Sequence, residues 1–464
     1  MKKYLMILEV SRKQDYIFGR KELRENIRRS IEIAHVTDSA FFRKAAGDDY
    51  SGEQNMVYSG GGHTVLQFED REQARRFARK VTEQAMRDYG GMEIFVKIQE
   101  YDHGKTPGEN LKELSAALER KKALRLSSFR TTGLGVEKLS DYFAPVSVRE
   151  RSDLGGRQDI LDPPKGYAFP GDFQLVAGED NFLAVVYIDG NAMGERVNKI
   201  YQLEACRDWD TCAAALRSFS GGIQRDFEAA FMEMVDALPK TPGETVLPLR
   251  PIILAGDDVC FVTRGRLGLE CARLFLEKLC VKRNREQPED PYAACAGVAM
   301  VHTKYPFHHA YTLSEELCSS AKRFGASLDE RGRISAMDWY IEFGQLRGDL
   351  EAIREDYIAQ DGSLLTLRPV AVHSPGGIPV RKERTYGFFR EMCQKKITGA
   401  EVGRNVWKGL RTALRRGRTE SLFYIRWKKL PLKDAFFGEE QRCLYFDAIE
   451  LNDHVTFFPE EESQ

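Results

Sequence analysis

The chain has 464 residues, too long for one ordinary domain and suited to about two to four. Its 69 Lys and Arg balance 70 Asp and Glu, so a formal net charge of −1 excludes a globally basic coat, and any polyanion-binding surface has to be a local patch. Hydrophobic residues make up 42%, enough for proper cores, yet no apolar run approaches the roughly 18 residues of a membrane helix.

The opening MKKYLMILEVSRKQD is a short apolar strand between charges, not the pattern of a signal peptide. Apolar runs then predict strands over 4–10, 56–58, 64–68 and 93–99. Helical spacing of apolar residues predicts helices over 15–33, 71–89 and 111–124. The order strand, helix, strand, glycine turn, strand, helix, strand is the ferredoxin-like plan of an antiparallel sheet backed by helices. A Pro- and Gly-rich stretch, 144–179, reads as a connector.

The same order recurs beyond it. Strands are expected over 182–189, 252–254, 259–262 and 293–301, with helices over 211–238, 266–279 and 310–324. Glu9 answers to Asp189, Ser30 to Ser220, Gly60–His63 to Ala255–Asp258, and Lys121 or Lys122 to Lys322, with offsets that grow steadily from 180 to about 200. Four matches in one order point to an internal duplication. The expected division is therefore 1–143, the connector, 180–345 and a mainly helical remainder over 346–464, an α+β fold overall. The nine cysteines include no CxxC pair and read as reduced, buried thiols of a cytoplasmic protein.

The second repeat carries the chemistry. VVYIDGNAMG and PIILAGDDVCFV place Asp189 and the Asp257–Asp258 pair at neighbouring strand ends. Three converging carboxylates repel one another unless a cation sits among them, and oxygen-only donors suit Mg²⁺ or Mn²⁺. Phosphoryl transfer uses that arrangement. Gly190 and Gly256 would let the backbone approach a nucleotide, with N–H groups open to phosphate, and Lys322 is a further phosphate contact or a solvated helical lysine. An Asp-Asp dipeptide alone would be an ordinary polar turn. The first repeat has Gly60, Gly61, Gly62 and His63 in its hairpin and no acidic pair, so it is expected to bind nucleotide or serve as scaffold without catalysing.

Residues 381–433 hold 16 Lys or Arg against 4 Asp or Glu, with Trp407, Phe423, Tyr424 and Trp427 interleaved. They read either as a solvated helical face over an aromatic core or as a surface for RNA.

YSGGGHTVLQF in one repeat and YIDGNAMG plus AGDD in the other resemble the large signalling subunit of type III CRISPR effector complexes, a family related to GGDEF-type nucleotide cyclases. QDYIFGRKELRENIRRS, SEELCSSAK, SAMDWY and DGSLLTLRPV add to the likeness, which covers roughly residues 1–370. The resemblance implies two palm domains facing each other as a pseudo-dimer that binds two ATP molecules. The acidic palm would join 3′-hydroxyl to α-phosphate and release cyclic oligoadenylates that switch on an antiviral effector. It implies Asp189 and Asp258 as leading metal ligands, and Asp257 as a further ligand or the group that orients the hydroxyl. Lys322 would lie on the triphosphate, and Ser220 and Ser30 would line the nucleotide sites. Ala255 stands where the family has glycine, and Asn191 where many members have a second aspartate. No His-Asp dipeptide and no cysteine-rich insertion occurs, so a reduced form without the nuclease domain is expected. The alternative is a palm scaffold without activity that binds nucleotide or RNA, with RNA or effector-complex subunits meeting 381–433. A cyclic dinucleotide made by a symmetric homodimer fits less well, because one chain already supplies both halves.

Overall fold

The computed structural model describes residues 2–124, 159–239, 243–343, 349–398, 402–432, 435–438 and 441–459. Residues 125–158, which hold the start of the expected connector, lie outside them. The first half runs β1 (Tyr4–Ser11), α1 (Lys13–Phe18), α2 (Leu23–Val36), α3 (Ser39–Ala46), β2 (Met56–Gly60), β3 (His63–Phe68), α4 (Arg71–Asp88), β4 (Glu93–Glu100) and α5 (Pro107–Leu124). The helix expected over 15–33 is two helices. The break falls at Gly19, which caps α1; a Cβ there would sit 2.7 Å from the Asp15 carbonyl oxygen, so this close approach suits glycine. Helix α3 was not expected; its start is fixed by Asp38, whose carboxylate accepts the Phe41 N–H. The four strands stand in the order β2-β3-β1-β4, with β1 antiparallel to both neighbours.

After α6 (Phe173–Ala177), the second half runs β5 (Phe182–Gly190), α7 (Met193–Gln202), α8 (Trp209–Asp236), β6 (Leu249–Ala255), β7 (Asp258–Arg264), α9 (Gly268–Cys280), β8 (Ala294–His302) and α10 (Phe307–Leu328). Its strands stand in the order β6-β7-β5-β8, the counterpart of the first sheet. This sheet then continues through β9 (Ser335–Ile341), parallel to β8, and β10 (Val370–His373). The remainder is mainly helical: α11 (Leu350–Glu355), α12 (Tyr386–Glu391) with a π-helical turn over Met392–Thr398, α13 (Arg404–Arg416), α14 (Arg418–Trp427), a short ribbon of β11 (Phe436–Phe437) with β12 (Arg442–Cys443), and α15 (Phe446–Leu451).

The halves clasp each other reciprocally. Helix α8 of the second half packs on β2 of the first, and α2 of the first packs on β6 of the second. Val57 and Val65 accordingly share one core with Phe219 and Phe227 of α8, while Ile252 and Ile253 belong to the core built round α2. All nine cysteines are free and buried. Among the described residues no helix is long and apolar enough to cross a membrane.

Candidate active site between the two hairpins

Both hairpins turn in two residues. Gly60 pairs with His63 and Ala255 with Asp258, leaving Gly61–Gly62 and Gly256–Asp257 as the turns. Gly61 and Gly62 both have positive φ, 57° and 76°, whereas in the second turn Gly256 has φ 69° and Asp257 is not left-handed. An aspartate therefore fits the second turn without strain, and the first demands glycine at both places. Ala255 lies in the strand itself, where a Cβ costs nothing. The two tips meet: a Cβ on Gly61 would lie 3.6 Å from the Ala255 carbonyl oxygen.

At the second hairpin, Asp189 on β5 is paired in register with Asp258 on β7. The Lys322 ammonium on α10 lies 2.6 Å from Asp189 and donates to the Gly190 carbonyl at 3.0 Å. The Tyr187 hydroxyl donates to Asp258 Oδ1 at 2.9 Å. Asp257 folds over Gly190, where a Cβ would come within 2.8 Å of the Asp257 Cβ, so glycine is required at 190 by this approach. Burial, then the charges of Asp258 and Asp189, push the Asp257 carboxyl up to about 7. Burial also raises Asp189, against the pull of Lys322. Asn191 is occupied structurally, its amide donating to the Gly332 and Ile334 carbonyls. Among the described residues no group of three His, Cys, Asp or Glu side chains is gathered tightly enough to hold a metal ion.

A cavity of about 410 Å³ lies between the halves. It brings together Ser30, Gly60, Gly61 and Gly62 from the first half with Asp258, Tyr187 and Gln224 from the second. Asp189, Asp257, Gly190 and Lys322 adjoin Asp258 without lining it. Ser220 and Gly256 border the cavity without lining it, a Cβ on Gly60 lying 3.7 Å from the Ser220 hydroxyl oxygen. The Ser220 hydroxyl reaches the Ser59 carbonyl at 3.4 Å, and the Gly256 N–H donates to Gln224 Oε1 at 2.6 Å, so it is taken up within the protein. Tyr187 and Gln224 were missed by the sequence reading. Tyr187 is two residues before Asp189, on the same face of a strand, and Gln224 is one helical turn beyond Ser220.

The first half repeats the pattern with other groups. Lys122 Nζ lies 2.7 Å from Glu9, and His63 Nδ1 lies 3.4 Å from the same carboxylate, with the Tyr58 hydroxyl 3.1 Å from Nε2. Lys122, and not Lys121, is thus the counterpart of Lys322. His63 is a hydrogen-bonded turn residue. Burial works to raise Glu9, but hydrogen bonds from His63 and Lys122 outweigh it and hold the carboxyl at about 2.

No family model matches the sequence, and no curated protein does. The fold, however, is that of a chain in the Csm1–Csm4 cassette solved in complex with cA4, at TM-score 0.59 and 14% identity, covering 98% of this chain and 70% of the other. The cassette in complex with one ATP gives the same figures. The Csm1–Csm4 subcomplex of the type III-A CRISPR-Csm interference complex aligns at TM-score 0.57 and 14% identity, over 97% and 69% of the two chains. At this identity the likeness is one of fold. The resemblance to the large subunit of type III CRISPR complexes, first read from the motifs, recurs there over nearly the whole chain.

Proposed function

We propose that this chain is a metal-dependent nucleotide cyclase of the type III CRISPR kind, its halves a pseudo-dimer of palms. It converts NTP, ATP by preference, into a cyclic oligonucleotide that signals to a downstream antiviral effector. The observation that carries the reading is the register pairing of Asp189 with Asp258 beside Asp257, where Asp258 lines a cavity walled by both halves. Neighbours of the same fold known with cA4, cA3 and ATP support it.

The donor set suits Mg²⁺ or Mn²⁺: carboxylate oxygens only, with Asp257 held up to about 7 by burial and then by the charges of Asp258 and Asp189, a repulsion that a divalent ion would relieve. Asp189 and Asp258 would hold it, with Asp257 as a third ligand or as the group that orients the 3′-hydroxyl. When bound, the ion neutralises triphosphate charge and favours the hydroxyl's ionised form. The 3′-oxygen attacks the α-phosphorus, the bond to the bridging oxygen breaks, and pyrophosphate leaves. Lys322 exchanges Asp189 for triphosphate. Ser30 and Gly60–Gly62 receive the second nucleotide across the cavity.

A second reading, a palm scaffold that binds nucleotide without turnover, is favoured by the Lys322–Asp189 ion pair, which already neutralises one ligand. Incubation with each NTP and Mg²⁺ or Mn²⁺, followed by chromatography and mass spectrometry beside the Asp257→Asn/Asp258→Asn variant, separates the two. A cyclic product lost in the variant supports the cyclase. Nucleotide binding without pyrophosphate, also in the presence of RNA and partner subunits, supports the scaffold.

A further inference from the structure

We propose that the outer face of α14 binds single-stranded polynucleotide, stacking bases on Phe423 and Trp427 while Arg426, Lys428 and Lys429 hold the phosphates. The proposal does not rest on the cyclase reading. Of the aromatic residues in the basic stretch, Trp407 is core, as a solvated helix over an aromatic core would have it. Phe423 and Trp427 are not: they are 67% and 62% exposed. Helix α14 docks through other residues. Ser421 and Ile425 are buried, and Tyr424 lies over Gly409 with its hydroxyl donating to the Val406 carbonyl at 3.1 Å. Phe423 takes no part in that contact, and Trp427 meets it only edge-on through the Tyr424 ring, 5.8 Å between ring centres. One turn apart, they form a pair on a single face.

The charge round this pair selects its occupant. Residues 404–433 contain ten Lys or Arg and one carboxylate, Glu420. Arg404 and Arg411 are spent on Asp453 and Glu450. Arg426, Lys428 and Lys429 are exposed and make no ion pair among the described residues. The Lys428 ammonium covers one face of Trp427, 3.8 Å from the ring centre, so a base would meet the opposite face with this cation close to its phosphate. Aromatic faces framed by uncompensated cations fit unpaired bases with their backbone, and the recognition tolerates any sequence. A duplex keeps its bases stacked and offers the rings nothing.

Trp427 also supplies the readout. The other three tryptophans, Trp209, Trp339 and Trp407, are 6%, 0% and 5% exposed, so quenching of intrinsic fluorescence by a ligand reports this face. The experiment titrates the full chain with a mixed-sequence, fluorescein-labelled single-stranded RNA, following anisotropy and, with unlabelled RNA, tryptophan emission. The same RNA as duplex and a polyglutamate peptide are run beside it. The expected result is binding that quenches Trp427 and weakens steeply with salt. Phe423→Ala and Trp427→Ala should each weaken it about tenfold, Arg426→Gln/Lys429→Gln should flatten its salt dependence, and Asp257→Asn/Asp258→Asn should leave it unchanged. The proposal is overturned by no binding at low salt, by ring variants that bind as well as the parent, or by duplex bound as tightly as single strand. Polyglutamate competing as well as RNA would overturn it in favour of an acidic protein partner.

Discussion

Lys322 Nζ lies 2.6 Å from Asp189 Oδ2, and the pairing recurs two hundred positions earlier, where Lys122 Nζ lies 2.7 Å from Glu9 Oε1. If Asp189 holds a metal, as proposed, the lysine competes with that metal for the carboxylate. Lys322→Ala should therefore raise the affinity for Mn²⁺ while raising KM for NTP and lowering turnover. The stability lost should be about 1 kcal/mol or less, since both side chains remain partly in water. Isothermal titration with Mn²⁺ and steady-state kinetics check the two halves of this prediction.

The carboxylate cluster is a source of repulsion. Asp257 titrates at about 7 in the folded chain against an ordinary 3.8, so it withdraws stability progressively as pH rises from about 4 to about 7. Asp257→Asn/Asp258→Asn should abolish pyrophosphate release and, without metal, melt slightly higher than the parent at pH 8. That gap should narrow toward pH 4. Differential scanning fluorimetry across pH measures it.

Glu9 has the opposite sign. Its carboxyl is held at about 2 against an ordinary 4.5, so its contribution is present above 4.5 and is lost as pH falls through 2. Glu9→Gln should lower the melting temperature at pH 7, and the difference from the parent should shrink between pH 4.5 and 2. A constant difference over that window would show that the Glu9 contacts with Lys122 and His63 carry no stability.

The glycine turn predicts an order of cost. A Cβ on Gly62 would sit 2.7 Å from the Ile33 methyl at φ 76°, whereas on Gly61 it meets nothing nearer than 3.6 Å. Gly61→Ala should cost about 1 kcal/mol for its left-handed backbone alone. Gly62→Ala should cost clearly more, because α2 has to move as well. Urea unfolding of both variants gives the comparison.

The repeat and the acidic hairpin could be read from the sequence because they rest on local signals: alternating apolar residues, a two-residue turn, and Asp at strand ends. Asp189 opposite Asp258 follows from strand order once the duplication is accepted. What could not be read were contacts that join distant parts of the chain. Gln224 on the Gly256 N–H, Tyr187 on Asp258 and Lys322 on Asp189 are set by tertiary packing. The break at Gly19 escaped because its apolar pattern continues across the turn. Exposure of Phe423 and Trp427 was equally hidden, since an aromatic residue at helical spacing looks the same on either face.

The reciprocal clasp, α8 on β2 and α2 on β6, has the form of contact that two identical subunits make about a twofold axis. Tying such partners into one chain removes dilution from their assembly, because each half meets the other at the fixed local concentration of its tether. It also lifts the requirement that both be alike. A symmetric pair must place the same hairpin on both walls, so acids would face acids. A fused pair can set Gly61 against Ala255 and keep the charge on one side only, giving the cavity a direction, so that two identical ligands placed in it would be inequivalent.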